Sequence, residues 1–161
     1  MNHETVKSKL ELLYPGKDIT IQERLLGGMS NYTYVVKIAN NYYTYRIPGE
    51  YSEHFVNREI EINNIRLMEK LGITNQTIYF NIETGEKIAR YVEGISLNHY
   101  EKEYPYLLVS NLLKKIHNSK ILADNDYNPF FRLSSYEDLV KSLGYIHTLD
   151  YFKTKEDFFS Y

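Results

Sequence analysis

Three runs of β-branched and aromatic residues, separated by short turns, place the strongest constraint on the fold. They cover residues 19–26, 32–38 and 42–47, and the turns between them are rich in Gly and Asn. Ile, Val, Thr and Tyr favour extended backbone, whereas Gly and Asn favour the tight turns of hairpins. The segment Ile19–Ile47 therefore predicts a three-stranded antiparallel meander.

The residues after the meander predict one long helix and two more strands. Ser52 is a plausible N-cap for a helix that runs to Leu71, because apolar residues recur on one broad face. Residues 77–82 and 86–92 are the further strand candidates. Together with a short helix over residues 3–13, they predict an α+β fold. Its first part is a protein-kinase-like N-terminal lobe, a five-stranded antiparallel sheet with one long helix.

The chain beyond the break at Glu93-Gly94 is predicted to be helical. Three helices are expected there, at residues 105–117, from Ser135 through Leu143, and from Thr154 to the end of the chain. We expect residues 1–92 to form the N-terminal lobe, and residues 93–161 to form a hinge and an incomplete helical C-terminal lobe. An incomplete lobe would leave apolar side chains exposed, which predicts possible self-association.

Composition argues against several classes of partner. The 161 residues carry a net charge of −2, so we expect no basic surface for nucleic acid or for a membrane. The absence of Cys excludes disulfides and thiolate metal sites. The first residues do not resemble a signal peptide, and no apolar run approaches the roughly 20 residues of a membrane span. A cytoplasmic location is therefore expected.

The first turn of the meander could approach a phosphate group. Gly28 lets the main chain come close to an anion, so the backbone N–H groups of Gly28, Met29, Ser30 and Asn31 could donate to phosphate oxygens. The hydroxyl of Ser30 and the amide of Asn31 could add donors. The alternative is a plain hairpin turn without a ligand.

One cation follows on the third strand. Arg46 lies where kinases place a phosphate-contacting Lys, and a guanidinium can contact phosphate through two N–H groups. The alternative is an exposed strand cation. A carboxylate on the long helix could hold Arg46 in place, and Glu59 and Glu61 are the two candidates. They lie about 200° apart around the helix, and the flanking Val56 and Ile60 favour Glu59.

Several of these segments together resemble the choline/ethanolamine kinase family, of the bacterial choline kinase type, within the aminoglycoside-phosphotransferase-like kinases. The segments that carry the resemblance are Leu26–Val36, Tyr45–Gly49, Asn57–Glu61, Ala89–Gly94 and Leu112–His117. The resemblance implies ATP and Mg²⁺ as cofactors, and choline or a similar small alcohol as the acceptor. It also implies a nucleotide site formed by Gly28, Met29, Ser30, Asn31, Thr33, Arg46, Glu59, Tyr91, Val92 and Glu93, with residues 91–93 as the hinge beside adenine.

The sequence departs from this family at the catalytic loop. Such kinases need an Asp followed five residues later by Asn, and no Asp in this sequence has Asn at that spacing. We therefore assign no catalytic or metal-binding residue, and expect the metal ligands in a C-terminal part beyond residue 161. Phosphotransfer by this chain alone is not expected. Two alternatives stay open: a non-catalytic kinase-like binding or interaction module, and a fragment of an aminoglycoside or sugar kinase.

Overall fold

The five strands form one antiparallel sheet in the order β1-β2-β3-β5-β4. The computed structural model describes residues 2–26, 30–95, 97–99, 105–123, 125–146 and 149–159. The strands are β1 (Ile19–Leu25), β2 (Asn31–Ile38), β3 (Asn41–Pro48), β4 (Thr77–Phe80) and β5 (Lys87–Arg90). The helices are α1 (His3–Leu13), α2 (Arg58–Lys70), α3 (Pro105–Asn118), α4 (Pro129–Ser142) and α5 (Leu149–Phe159). The predicted α+β class and five-stranded antiparallel sheet are confirmed.

The core lies between α1 and one face of the sheet. Val6 and Leu10 are fully buried and pack with Tyr34, Tyr45 and Ile88 from three strands. Side chains alternate between the two faces of a strand, so every second residue of β2 and β3 faces α1. The burial of these apolar side chains is what fixes α1 on this face.

A buried carboxylate also links α1 to the sheet. Glu86, just before β5, is only 8% exposed and accepts hydrogen bonds from the hydroxyl of Tyr45 at 2.9 Å and from Lys9 Nζ at 2.5 Å. Burial raises the pKa of Tyr45 above its usual value, and the bond to Glu86 raises it further. Tyr45 therefore remains the hydrogen-bond donor in this contact.

Two predicted helix starts are wrong because asparagines, not serines, cap these helices. Asn57 accepts hydrogen bonds from two N–H groups of the first turn of α2, so the helix begins at Arg58. Asn128 does the same for α4, which begins at Pro129. An Asn side chain is among the best acceptors for the free N–H groups of a first turn. Ser52 instead lies in a short 3₁₀ turn, and Ser135 donates to a carbonyl within α4.

The predicted helix at 105–117 is confirmed as α3, and the helix expected to start at Thr154 is part of the longer α5. The chain divides into two compact units, Met1–Asp124 and Asn125–Tyr161. The lobe boundary predicted between residues 92 and 93 lies inside the first unit and stays a prediction.

In the second unit, buried Glu137 of α4 accepts hydrogen bonds from Tyr151 and Lys155 of α5. None of the helices formed by the described residues is both long and apolar enough to cross a membrane.

Two leucines of α1 provide a matched test of this core. Leu10 is fully buried, whereas Leu12 is 84% exposed on the same helix. Leu10→Ala should lower the free energy of unfolding by about 2–5 kcal/mol, because it removes apolar contacts and leaves a cavity. Leu12→Ala should change it by less than about 0.5 kcal/mol. Urea unfolding followed by circular dichroism measures both, and equal losses would contradict this packing.

Candidate functional site

Arg46 projects from β3 on the face of the sheet that does not carry the α1 core. Its neighbours Tyr45 and Ile47 belong to that core, and strand alternation therefore directs Arg46 the other way. Its Nη1 lies 2.5 Å from a carboxylate oxygen of Glu61, and its Nη2 donates to the carbonyl of Gly85 at 3.0 Å. Protein groups thus hold both terminal nitrogens of the guanidinium.

The predicted pairing of Arg46 with Glu59 is wrong, because Glu61 is the partner. Glu59 lies in the first turn of α2 with an exposed side chain. The prediction depended on Val56 as a marker of the buried helix face. Val56 precedes the first helical residue, so helical spacing does not relate its direction to that of Glu59. A nucleotide contact by Glu59 stays a prediction.

Glu61 binds a second cation in addition to Arg46. Its other carboxylate oxygen accepts a hydrogen bond from Nη1 of Arg58 at 2.8 Å. Burial alone would raise the pKa of Glu61, but the hydrogen bonds and charges of Arg46 and Arg58 outweigh it and lower this pKa below its usual value. Glu61 is therefore a charged anchor between two arginines at neutral pH.

The guanidinium of Arg46 keeps N–H donors that the described residues do not use. A guanidinium has five N–H groups, and Glu61 and Gly85 accept from two of them. The Nε of Arg46 is buried and has no hydrogen-bond partner among the described residues. This nitrogen is out of reach of a ligand, but the side chain as a whole is 19% exposed, which leaves the remaining N–H groups of Nη1 and Nη2 for a ligand oxygen. The donor set at Arg46 therefore fits a phosphate group.

A second cation lies beside Arg46 in the sheet. Lys87 of β5 is directly opposite Arg46 in the strand register. Burial lowers the pKa of Lys87, and the charge of Arg46 lowers it further, while Glu61 and Glu69 act in the opposite direction. Like charges opposite each other destabilise a sheet. The pair makes this end of the sheet electropositive, which favours an anion.

The predicted turn residues that the structure describes lie next to Arg46. Thr33 of β2 is directly opposite Arg46, on the other side from Lys87. Asn31 pairs with Pro48, and Ser30 accepts a backbone hydrogen bond from Gly49 at 2.8 Å. The structure therefore brings Ser30, Asn31 and Thr33 to the end of β3 that carries Arg46. Gly28 and Met29 lie outside the described residues.

The predicted hinge is at the other end of β3. The N–H of Tyr91 donates to the carbonyl of Tyr42 at 3.1 Å, and the side chains of Val92 and Glu93 are exposed. Tyr91 and Glu93 line an open cavity of about 610 Å³ together with Asn40, Asn41, Tyr42, Tyr43 and Arg90. Arg46 is four positions after Tyr42 on β3, which is roughly 13 Å along a strand. The hinge and the cationic end therefore lie apart along one strand.

Sequence reasoning missed the row of residues between these two ends. Val35, Thr44 and Ala89 are opposite one another on β2, β3 and β5. Val35 and Ala89 are buried but do not belong to the α1 core, and Thr44 is two residues from Arg46. Counting back two residues from Arg46 would have found Thr44. Its partners Val35 and Ala89 required the strand register.

The described residues contain no cluster of three or more His, Asp or Glu side chains that could hold a metal ion. Glu61 is already occupied by two arginines, so it is not a free ligand. The donors at this site therefore suit an anion better than a cation.

Comparisons with known proteins agree with this geometry, although no family model matches the sequence. Protein LicA of Haemophilus influenzae is 25% identical over 128 residues, which are 78% of this chain and 38% of that protein. The crystal structure of choline kinase LicA from Streptococcus pneumoniae superposes with a TM-score of 0.75 and 27% identity, over 98% of this chain and 54% of that one. The predicted resemblance to the choline/ethanolamine kinase family is thereby confirmed.

A second LicA structure bears on the ligand. The crystal structure of LicA in complex with AMP has a TM-score of 0.68 and 28% identity, over 86% of this chain and 50% of that chain. This chain therefore spans about half of each of the two LicA structures and less than half of the Haemophilus influenzae protein. The similarity includes the sheet that carries Arg46, because it extends over nearly all of this chain.

Glu59 and Glu61 of α2 allow a direct test of the ion pair. Glu61→Gln should lower the free energy of unfolding by about 2–4 kcal/mol at pH 7, because Arg46 and Arg58 lose their counter-charge. Glu59→Gln, at an exposed position, should have little effect.

The loss caused by Glu61→Gln should depend on pH. The folded-state pKa of Glu61 is lowered, so its contribution is complete above the ordinary carboxyl value of 4.5 and disappears as the pH falls through the lower folded pKa. The difference between wild type and Glu61→Gln should therefore shrink below about pH 4. Urea unfolding from pH 3 to pH 7 measures this, and a loss independent of pH would contradict the ion pair.

Proposed function

We propose that the chain is the ATP-binding part of a choline-kinase-like phosphotransferase. The complete enzyme would transfer the γ-phosphoryl group of ATP to the hydroxyl of choline or a similar small alcohol. The observation that carries this proposal is Arg46, fixed by Glu61 and Gly85 with unused donors at the cationic end of the sheet. The AMP bound by the similar LicA structure supports a nucleotide as the ligand.

Each part of the site has a role in this proposal. Arg46 would contact the phosphates through its unused N–H groups, together with the turn residues from Gly28 to Thr33. The backbone at residues 91–93 would contact adenine, and Val35 and Ala89 would offer apolar surface between hinge and phosphates. Glu59, which was expected to hold Arg46, has no role in orienting it here.

When it is bound, Mg²⁺ would neutralise part of the charge of the phosphates. We assign no described residue to it. The chemical step would need the Asp-x-x-x-x-Asn motif that this sequence lacks. We therefore propose that residues 1–161 bind nucleotide without transferring phosphate on their own. ATP is a cytoplasmic substrate, so we propose that the protein acts in the cytoplasm.

Choline is the preferred acceptor in this proposal. Streptococcus pneumoniae LicA is a choline kinase, and 98% of this chain is similar to part of it. An aminoglycoside or a sugar has no comparable support. A second candidate is a non-catalytic binding or interaction module that uses the kinase-like sheet.

A nucleotide titration separates these two candidates. The chain should bind ATP in the presence of Mg²⁺ with a dissociation constant on the order of 1 mM or lower. Arg46→Met should weaken binding at least about tenfold, because it removes charge-assisted hydrogen bonds to phosphate. Arg66→Met removes an exposed arginine of α2 and should leave the affinity unchanged. Isothermal titration calorimetry measures all three proteins, with thermal melting as a check of folding.

Two results would contradict the proposed function. One is a wild-type chain that does not bind ATP at any accessible concentration. The other is equal affinity of wild type and a folded Arg46→Met variant. Either result would favour the interaction module.

Self-association is a separate prediction, based on the exposed leucines of α3. Leu107, Leu108, Leu112 and Leu113 are each between 44% and 54% exposed. The apparent mass in analytical ultracentrifugation should therefore rise above 19.1 kDa with concentration. The double substitution Leu108→Gln and Leu112→Gln should reduce this rise, whereas Leu122→Gln, at a position outside the helix, should not. A monomer at all concentrations would refute the prediction.

A further inference from the structure

We infer that Arg58 and Gly85 form a positioning clamp for the Arg46–Glu61 ion pair, and that this clamp sets the affinity for nucleotide phosphates. The inference rests on the proposed function, because it concerns the cation that we assign to ATP. Neither residue is proposed to touch the nucleotide. Arg58 acts through Glu61, and Gly85 acts by holding Arg46 and by leaving room for Arg58.

Arg58 forms an ion pair with Glu61, which is already paired with Arg46. Its side chain is only 10% exposed, its Nη1 contacts Glu61 at 2.8 Å, and its Nη2 donates to the hydroxyl of Ser52 at 2.8 Å. Removing a second arginine from water is costly, since one carboxylate cannot neutralise two cations. The benefit is positional: each oxygen of Glu61 is bound to a different arginine, so the carboxylate cannot rotate freely.

Gly85 contributes in two ways. Its carbonyl accepts the hydrogen bond from Nη2 of Arg46 at 3.0 Å. Its Cα lies against the guanidinium of Arg58, because a Cβ at this position would lie 2.4 Å from Nε and 2.5 Å from Cζ of that side chain. Any side chain at residue 85 would therefore push Arg58 away from Glu61.

The turn that carries Gly85 is itself fixed. Asn81 accepts hydrogen bonds from the N–H groups of Glu83 and Thr84 through its side chain, and from the N–H of Gly85 through its carbonyl. Gly85 has φ of +73°, which a residue with a side chain adopts only with strain. The carbonyl that receives Arg46 is thus held in place before any ligand binds.

The clamp should act on ligand affinity through preorganisation. Glu61 holds Nη1 of Arg46 and Gly85 holds Nη2, which fixes the plane of the guanidinium and the direction of its unused donors. Without Arg58, Glu61 could rotate and Arg46 would adopt several orientations. The nucleotide would then have to order this side chain on binding, which lowers the affinity.

The clamp also affects the protonation of Glu61. Arg46 of β3 and Arg58 of α2 both stabilise the charged form of Glu61. The neighbouring Lys87 of β5 is acted on by Arg46, by Glu61 and by Glu69 of α2. Without Arg58, the pKa of Glu61 should rise, because burial still opposes the charge and one hydrogen-bond donor is lost. The decline of ATP affinity on the acid side should therefore begin at a higher pH than in wild type.

The first test compares substitutions of Arg58 in the full chain. Arg58→Gln should raise the dissociation constant of ATP with Mg²⁺ about fivefold or more. On acidification, the affinity of this variant for ATP should begin to fall at a higher pH than that of wild type. Arg58→Lys keeps the charge and should recover part of the affinity. Arg66→Gln, on the exposed side of the same helix, is the control and should behave as wild type. If Arg58 had a purely structural role, Arg58→Gln would lower the melting temperature without changing the pH at which the affinity for ATP begins to fall.

A matched pair of glycines provides the second test. Gly16 has φ of +74°, and an added Cβ would meet nothing within 4 Å, whereas Gly85 has φ of +73° and lies against Arg58. Both alanine variants incur the same backbone strain, but Gly85→Ala alone should weaken ATP binding. In an Arg58→Gln background, Gly85→Ala should cause little further loss of affinity beyond that of Gly16→Ala, because the guanidinium that it displaces is gone.

A third measurement does not depend on nucleotide. The Arg46 Nε–H signal in ¹⁵N NMR, assigned by its loss in Arg46→Lys, should be protected from solvent exchange in wild type and Gly16→Ala. It should exchange faster in Arg58→Gln and Gly85→Ala. A wild type that binds no ATP would refute the proposed function, while this signal would still decide whether Arg58 positions Arg46. Two results would overturn the inference. One is unchanged exchange of this signal in both variants. The other is a wild type that binds ATP together with Arg58→Gln and Gly85→Ala variants that bind it equally well.

Discussion

The alternation of side chains along β3 is the constraint on which the rest of the first unit depends. Tyr45 faces α1 and takes part in the core, and Arg46 faces the other way and meets Glu61 of α2. β3 lies between β2 and β5 in the sheet, so its register with both neighbours determines what stands beside each residue. A register shift of one residue would exchange the two faces, placing the charge in the core and the tyrosine at the ion pair.

The parts of this fold that follow from local chemistry could be predicted from the sequence. Strand-forming runs with Gly and Asn turns predicted the meander, and the layout of strands and helix pointed to Arg46. The choice of Glu61 over Glu59 was not accessible in this way, because it depends on where α2 begins. That start is set by Asn57, whose side chain accepts from N–H groups of the first turn, whereas the hydroxyl of Ser52 accepts from Arg58. The contributions of Gly85 and Lys87 required the pairing of distant strands, which local patterns do not contain.

The electrostatics of the site explain why its cations tolerate each other. Arg46 and Arg58 contact Glu61, and both Glu61 and Glu69 act on the neighbouring Lys87, so three cations face two carboxylates at this point. Under the proposed function, a bound phosphate would offset the cost of this excess. Binding and chemistry would then be separable: the sheet would hold the nucleotide, and groups outside the described residues would act on it.

The contact between residues 45–46 and residues 85–86 has a consequence for how this sequence can vary. On one face, Tyr45 bonds to Glu86, and on the other, Arg46 bonds to Gly85. Two adjacent residues of β3 are thus fastened to two adjacent residues of the β4–β5 turn through opposite sides of the sheet. Inserting one residue between Gly85 and Glu86 would separate the two partners, so both connections could not be kept at once. The adjacency of these two residues should therefore be invariant among related sequences, even where the rest of the turn differs.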